Sequence, residues 1–318
     1  MYSRKRLFYR TIFKKMKKLL LVILLLNTLI AFSQDLPKVT FGKIQRLENF
    51  KTELITPRNV DIWLPNDYDK SKKYAVVYMH DGQMLFDATQ TWNKTAWEVD
   101  EMIQKLTKEK TLKNYIIVGV WNVSEQRYGD YFPQKVLENI TEPTKSMILA
   151  QQIKGKPNAD NYLKFLVTEL KPYIDTHFST KKDAKNTFLM GSSMGGLISI
   201  YGLCEYPKVF GGAACLSIHS PLLKSDLIDK NTDQNAASKF RNYLAAHLPK
   251  ANSKKIYFDY GDQTLDALYK PFQTKIDDLM QQKKWKSPYW ETRFFAGESH
   301  SETSWAKRLD IPFLFLLK

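Results

Sequence analysis

Short runs of apolar residues punctuate the chain: Tyr74–Met79 (YAVVYM), Tyr115–Val120 (YIIVGV), Thr187–Met190, Ala213–Ile218 and Ile256–Tyr260. Runs that are apolar at nearly every position suit strands buried on both faces of a parallel sheet. Ahead of them, residues 38–64 read as short β segments. In the last of these Val60, Ile62 and Leu64 alternate with Asp61 and Trp63, and Pro65 ends the run. That alternation predicts an outer, half-exposed strand. Glu291–Phe295 reads as the last strand.

Between the runs the period changes to that of a helix. Val99, Met102, Ile103 and Leu106 recur at helical spacing, and Thr95-x-x-Glu98 offers a capping box ahead of them. Tyr162, Phe165, Leu166 and Leu170 form a second stripe, which Pro172 is expected to kink or end. Further helices are predicted at Leu197–Leu203, near Ala237–Leu248 and over roughly 268–284. Strands alternating with helices imply right-handed crossovers and a three-layer α/β fold with a mostly parallel central sheet. The stretches 122–157 and 219–254 break this rhythm, and such long connections after strands are where pockets are built.

The N-terminus follows another logic. Residues 1–33 hold eight Lys and Arg and no acid, then the run Leu19–Leu26, then Ala31-Phe32-Ser33 before Gln34. A basic stretch, an apolar core and a small-residue cleavage site describe a secretory signal peptide over 1–33. The apolar run falls short of the ~20 residues that a membrane anchor needs. Met16-Lys17-Lys18 offers an alternative start to Met1. The expected product is one domain over 34–318, periplasmic or secreted, with no stable membrane anchor after cleavage.

Composition adds two exclusions. The formal charge of +15 falls to +7 once the eight leader cations are set aside, and the remaining Lys and Arg are interspersed with acids. No basic arm or aromatic-basic module points to nucleic acid. Cys204 and Cys215 lie in apolar contexts without metal or redox spacing, so free buried thiols are expected.

The chemistry concentrates in Gly191-Ser192-Ser193-Met194-Gly195, a G-x-S-x-G sequence between a strand run and a helical one. Strand, sharp turn and helix are what a nucleophile elbow requires, and Ser193 is its nucleophile. A serine hydroxyl needs a base. Of His80, His177, His219, His247 and His300, only His300 follows the last strand, where the order nucleophile, acid, histidine places it. Asp262 and Asp266, after the Ile256–Tyr260 run, are both candidates for the acid, and spacing does not choose between them. The oxyanion hole takes the N–H of Met194 and a second one from the loop His80–Phe86; Gln83 is the first choice, Gly82 the next. His80-Asp81 lacks a third ligand at useful spacing, so no metal is expected. His219, Trp121 and Tyr128 are candidates for lining the pocket.

Several segments together resemble the putative esterase family, which includes esterase D, enterochelin esterases and feruloyl or acetylxylan esterases. They are Tyr78–Gln83 with Phe86-Asp87, the Gly191–Gly196 elbow, Asp259-Tyr260-Gly261 with Asp266, and His300 with Glu302 and Trp305. The resemblance covers roughly residues 55–318. It implies an α/β-hydrolase fold, a Ser–Asp–His triad acting on a small-molecule ester without a cofactor, and Asp266 as the acid. Arg127-Tyr128-Gly129-Asp130-Tyr131 departs from the Arg-x-x-Glu-Tyr pattern of the family, which leaves the shape of the acyl pocket open. Acyl transfer on the same triad and a non-catalytic binding protein are the rival expectations.

Overall fold

The strands predicted as doubly buried form the middle of an eight-stranded sheet, in the order β1-β2-β4-β3-β5-β6-β7-β8. Their ranges are β1 Lys43–Phe50, β2 Arg58–Leu64, β3 Ala75–His80, β4 Tyr115–Val120, β5 Thr187–Ser192, β6 Gly212–Leu216, β7 Lys255–Tyr260 and β8 Trp290–Phe294. β1, β2 and β4 pair antiparallel in sequence, and every pairing from β4 through β3 to β8 is parallel. The computed structural model describes residues 35–108, 114–228 and 235–318. The expected signal peptide lies outside them. Among the described residues, no helix is long and apolar enough to cross a membrane.

Successive strand residues point to opposite faces, and the central strands feed two apolar layers. Val76, Tyr78, Ile116, Val118, Leu189 and Phe258 join one cluster, while Val77, Met79, Ile117, Phe188, Met190 and Tyr257 join the other. Residues 37–318 make one compact unit around this sheet. The principal helices are α1 Val99–Lys108, α2 Ala159–Phe165, α3 Met194–Glu205, α4 Ala236–His247, α5 Lys270–Gln282, α6 Glu302–Arg308 and α7 Asp310–Leu317. Leu163, Ile200 and Phe240 belong to the first layer; Ile103, Trp305 and Phe313 to the second. Cys204 and Cys215 are free and buried.

Two local expectations are corrected, and a third is narrowed. β2 is not half-exposed: Val60, Ile62 and Trp63 are buried, and Asp61 is buried against Arg46 of β1 at 2.7 Å. The sequence shows an alternation but not the cation that lets Asp61 go inside. The capping box does not form. The N–H of Val99 is taken by the carbonyl of Leu85 at 3.1 Å, Glu98 stands at a φ of 52°, and Thr95 Oγ1 finds no partner. Of the two outcomes expected at Pro172, an end to the helix is not found. α2 runs through a π turn at Leu166–Leu170 into Lys171–His177, with the proline near the start of that last segment. A wider turn accommodates a ring that offers no N–H.

Candidate active site

Parallel strands deliver their C-terminal ends to one edge of a sheet, and ligands in such folds bind outside that edge. Here the ends of β3, β4, β5, β7 and β8 carry Asp81–Gln83, Asn122–Arg127, Ser193, Asp266 and His300 respectively. Ser193 and His300 line one open cleft of about 500 Å³, together with Asp81, Gln83, Arg127 and Trp92.

Ser193 occupies the turn between β5 and α3 at φ 55°, ψ −120°, a conformation that costs about 1–3 kcal/mol for a residue with a Cβ. Its surroundings hold it there. Its N–H donates to Leu216 at 2.9 Å, and its carbonyl accepts from Leu197 at 3.1 Å and His219 at 3.2 Å. The turn closes only because Gly191 has no side chain, since a Cβ there would stand 2.6 Å from the carbonyl carbon of Gly195. The N–H of Met194, first residue of α3, has no acceptor within the helix.

His300 Nδ1 lies 2.7 Å from Asp266 Oδ1. The other carboxylate oxygen accepts from Ser217 Oγ at 2.6 Å and from the N–H of Gly261 at 2.7 Å. Asp266 is fully buried. Burial alone raises a carboxyl, but His300, Ser217 and Gly261 outweigh it and hold Asp266 below the ordinary aspartate value. Asp262 turns elsewhere, accepting from the N–H of Gly297 at 2.8 Å and from Gln263 at 2.9 Å.

On the opposite wall, Gln83 sits in a single turn at Gly82–Met84. Gly82 presses this turn onto β4, where a Cβ would meet the Gly119 carbonyl carbon at 2.5 Å. Gln83 and Asn122 exchange hydrogen bonds, Oε1 accepting at 3.0 Å and Nε2 donating at 3.4 Å. Asp81, in the left-handed region at φ 57°, receives Arg127 through both oxygens at 2.8 and 2.7 Å, and Asn122 at 2.6 Å. Burial pushes Asp81 up, but Arg127, Asn122 and His80 together more than offset it, and the net shift is downward. Among the described residues, no group of three or more His, Cys, Asp or Glu could hold a metal ion.

The remaining sequence candidates lie outside the cleft wall. Trp121 donates its Nε1 to Asp61 at 2.8 Å and carries the Arg46 guanidinium 4.6 Å above its ring. Tyr128 is half-buried and packs on the core. His219 is buried, its Nδ1 2.7 Å from the hydroxyl of Tyr269, and burial, His300 and Arg127 lower its pKa to about 3. Asp130, where the sequence departs from the expected Glu, pairs with buried Arg58 at 2.8 Å. Ser217, Tyr269, Trp92 and Arg308 were not singled out from sequence. Tyr269 stands edge-on to His300 at 5.5 Å, three residues after Asp266.

A family model described as "Putative esterase" matches residues 52–313. Among curated proteins, the endo-1,4-beta-xylanase/feruloyl esterase of Xylanibacter ruminicola is 24% identical over 191 residues, which is 56% of this chain and 22% of that protein. The chain spans less than two-thirds of the length of the curated relatives it matches. Among solved structures, a CE1 ferulic acid esterase from Anaeromyces mucronatus aligns with a TM-score of 0.57 at 17% identity, covering 90% of this chain and 94% of that one. The enterobactin esterase FES from Shigella flexneri, solved in the presence of 2,3-di-hydroxy-N-benzoyl-glycine, aligns with a TM-score of 0.61 at 16% identity, covering 89% and 61%. These likenesses carry the α/β-hydrolase fold.

Proposed function

Because the chain belongs to the putative esterase family, we propose that it is a serine carboxylic-ester hydrolase acting through Ser193, His300 and Asp266. The observation that carries this reading is the His300–Asp266 pair at 2.7 Å, opening on the same cleft as a serine in a strained turn.

Asp266, an ionised acceptor, keeps the imidazole protonated on Nδ1 and leaves the Nε2 lone pair for the nucleophile. Ser193 Oγ attacks the ester carbonyl while Nε2 takes its proton. The carbonyl oxygen becomes an oxyanion facing the N–H groups of Met194 and Gln83. Collapse returns the proton to the departing alkoxide, giving the alcohol and an acyl-enzyme. Water, deprotonated by the same imidazole, then releases the acid and restores Ser193.

The substrate we assign is an ester with a planar ring in its acyl group, of the feruloyl or dihydroxybenzoyl type, on a sugar or siderophore alcohol. The names of the matched proteins support this class. So does Trp92, an 84% exposed indole at the cleft wall, since ring stacking contributes about 0.5–1.5 kcal/mol beyond area burial. The leader pattern of residues 1–33 supports export to the periplasm or beyond, with one catalytic domain over 34–318.

Ser193→Ala is the test. It should remove all but a residue of p-nitrophenyl acetate hydrolysis and all labelling by a fluorophosphonate probe. Substantial hydrolysis by that variant would sink the mechanism.

A further inference from the structure

Ser217 ends the β6 crossing at a φ of 43° and is fully buried. Its hydroxyl has one proton and two lone pairs. Trp305 Nε1 donates to its oxygen at 3.0 Å, and Arg308 Nη2 donates to it at 3.1 Å. Indole and guanidinium are donors only, so both lone pairs are taken. The single proton of Ser217 is therefore forced onto Asp266 Oδ2, 2.6 Å away.

That oxygen also receives the N–H of Gly261. With two donors converging on it, Oδ2 has no acceptor toward which a proton of its own could point. Asp266 is kept an ionised acceptor, and its remaining oxygen, Oδ1, faces His300 Nδ1. The hub is itself fixed. Arg308 Nη2 donates to Asp259 Oδ1 at 3.0 Å, the Ser217 N–H reaches the same oxygen at 3.2 Å, and Tyr257 donates to Asp259 Oδ2 at 3.2 Å. The indole of Trp305 additionally meets His300 edge-on at 5.0 Å.

We propose that Ser217, oriented by Trp305 and Arg308, is a positioning residue that sets the protonation and aim of Asp266 toward His300. The proposal rests on the esterase reading above. A left-handed serine is tolerated at this position because the network over-determines it. The charged and titratable groups around Asp266 are His300 in contact, Arg308 and Asp259 behind Ser217, and Tyr269 beside His300.

The experiment compares full-length wild type, Ser217→Ala and Trp305→Phe on p-nitrophenyl acetate, with melting temperatures and pH profiles. Ser217→Ala is expected to lower kcat about tenfold or more with KM little changed, the loss of one hydrogen bond to a charged group. Its acidic limb of kcat/KM should move to higher pH, because a carboxylate relieved of one donor favours the imidazolium more strongly. Trp305→Phe keeps an aromatic ring beside His300 but removes the N–H together with part of the indole, so a fall of at least about threefold is expected. A Ser217→Ala enzyme with kcat within about twofold of wild type and an unmoved limb overturns the proposal, whatever its melting temperature. Should Ser217→Ala fail to fold, a Trp305→Phe enzyme indistinguishable from wild type in kcat and limb overturns it equally. A wild type that neither hydrolyses the ester nor takes the fluorophosphonate overturns the esterase reading first, and this proposal with it.

Discussion

Asn93 donates its side-chain amide to Glu302 at 2.9 Å, joining positions 209 residues apart. The bond ties the loop that carries Trp92 to the start of α6, two residues beyond His300. The exposed indole of Trp92 stands beside this anchor on the cleft wall, where a planar acyl group could lie against it. Trp92→Ala should raise KM for feruloyl or dihydroxybenzoyl esters about five- to tenfold, the value of one ring stack. Hydrolysis of p-nitrophenyl acetate should change little. Equal effects on both substrates, measured by steady-state kinetics, would remove Trp92 from recognition.

The two aspartates after β7 make separable predictions. Asp266→Asn should cut kcat about 10³–10⁴-fold, because an amide can stabilise the wrong imidazole tautomer and no imidazolium. Asp262→Asn keeps an oxygen for the Gly297 N–H and should stay within about twofold. Parallel assays of the two variants, with folding checked by circular dichroism, decide which one serves His300.

Acid sensitivity follows from two buried histidines. Burial, against a partly compensating Asp81, lowers His80 to about 4; burial, His300 and Arg127 lower His219 to about 3. Both are neutral in the fold and take up a proton in the unfolded chain near pH 6.5. The unfolded state then binds more protons, so stability is full above pH 6.5 and is lost as pH falls toward 4. At pH 5 each contributes a loss of about 2 kcal/mol. Asp266, shifted downward, acts only below the ordinary aspartate range, outside this window. Glu101, which burial and Asp100 push up to about 7, acts in the opposite sense over the same window. Urea melts at pH 7.5 and 5 should therefore show a net loss smaller than the two histidines alone would give. His219→Asn should reduce the pH 5 loss by about 2 kcal/mol relative to wild type.

Gly191→Ala should abolish hydrolysis and destabilise by at least the 1–3 kcal/mol typical of overpacking, since the added methyl meets backbone rather than a movable side chain. A Gly191→Ala protein that melts with wild type would show that the turn has more room than the 2.6 Å approach implies.

The central strands were legible because burial on both faces forces continuous apolar runs, and the observed ranges differ from the expected ones by a residue or two. What failed locally depended on distant partners: Arg46 for the buried Asp61, and the Leu85 carbonyl for the start of α1. In the site, motif and chain order brought out Ser193 and His300, which stand in one cleft. Between Asp262 and Asp266 residue spacing was neutral, and the preference came from resemblance. Ser217 and Tyr269 left no signal, because a lone polar residue at a strand end or in a short turn has no periodicity. Their partners lie 49 and 50 positions away, at Asp266 and His219.

The sheet finishes on one side in β8, where Phe294 is exposed and Glu291 and Arg293 form an ion pair. On the other side it finishes in β1, which carries Lys43 and Glu48 at exposed positions. A strand arriving from a neighbouring molecule at either margin would have to strip water from those charges before gaining any backbone hydrogen bond. Strand addition is thereby discouraged at both borders of the sheet.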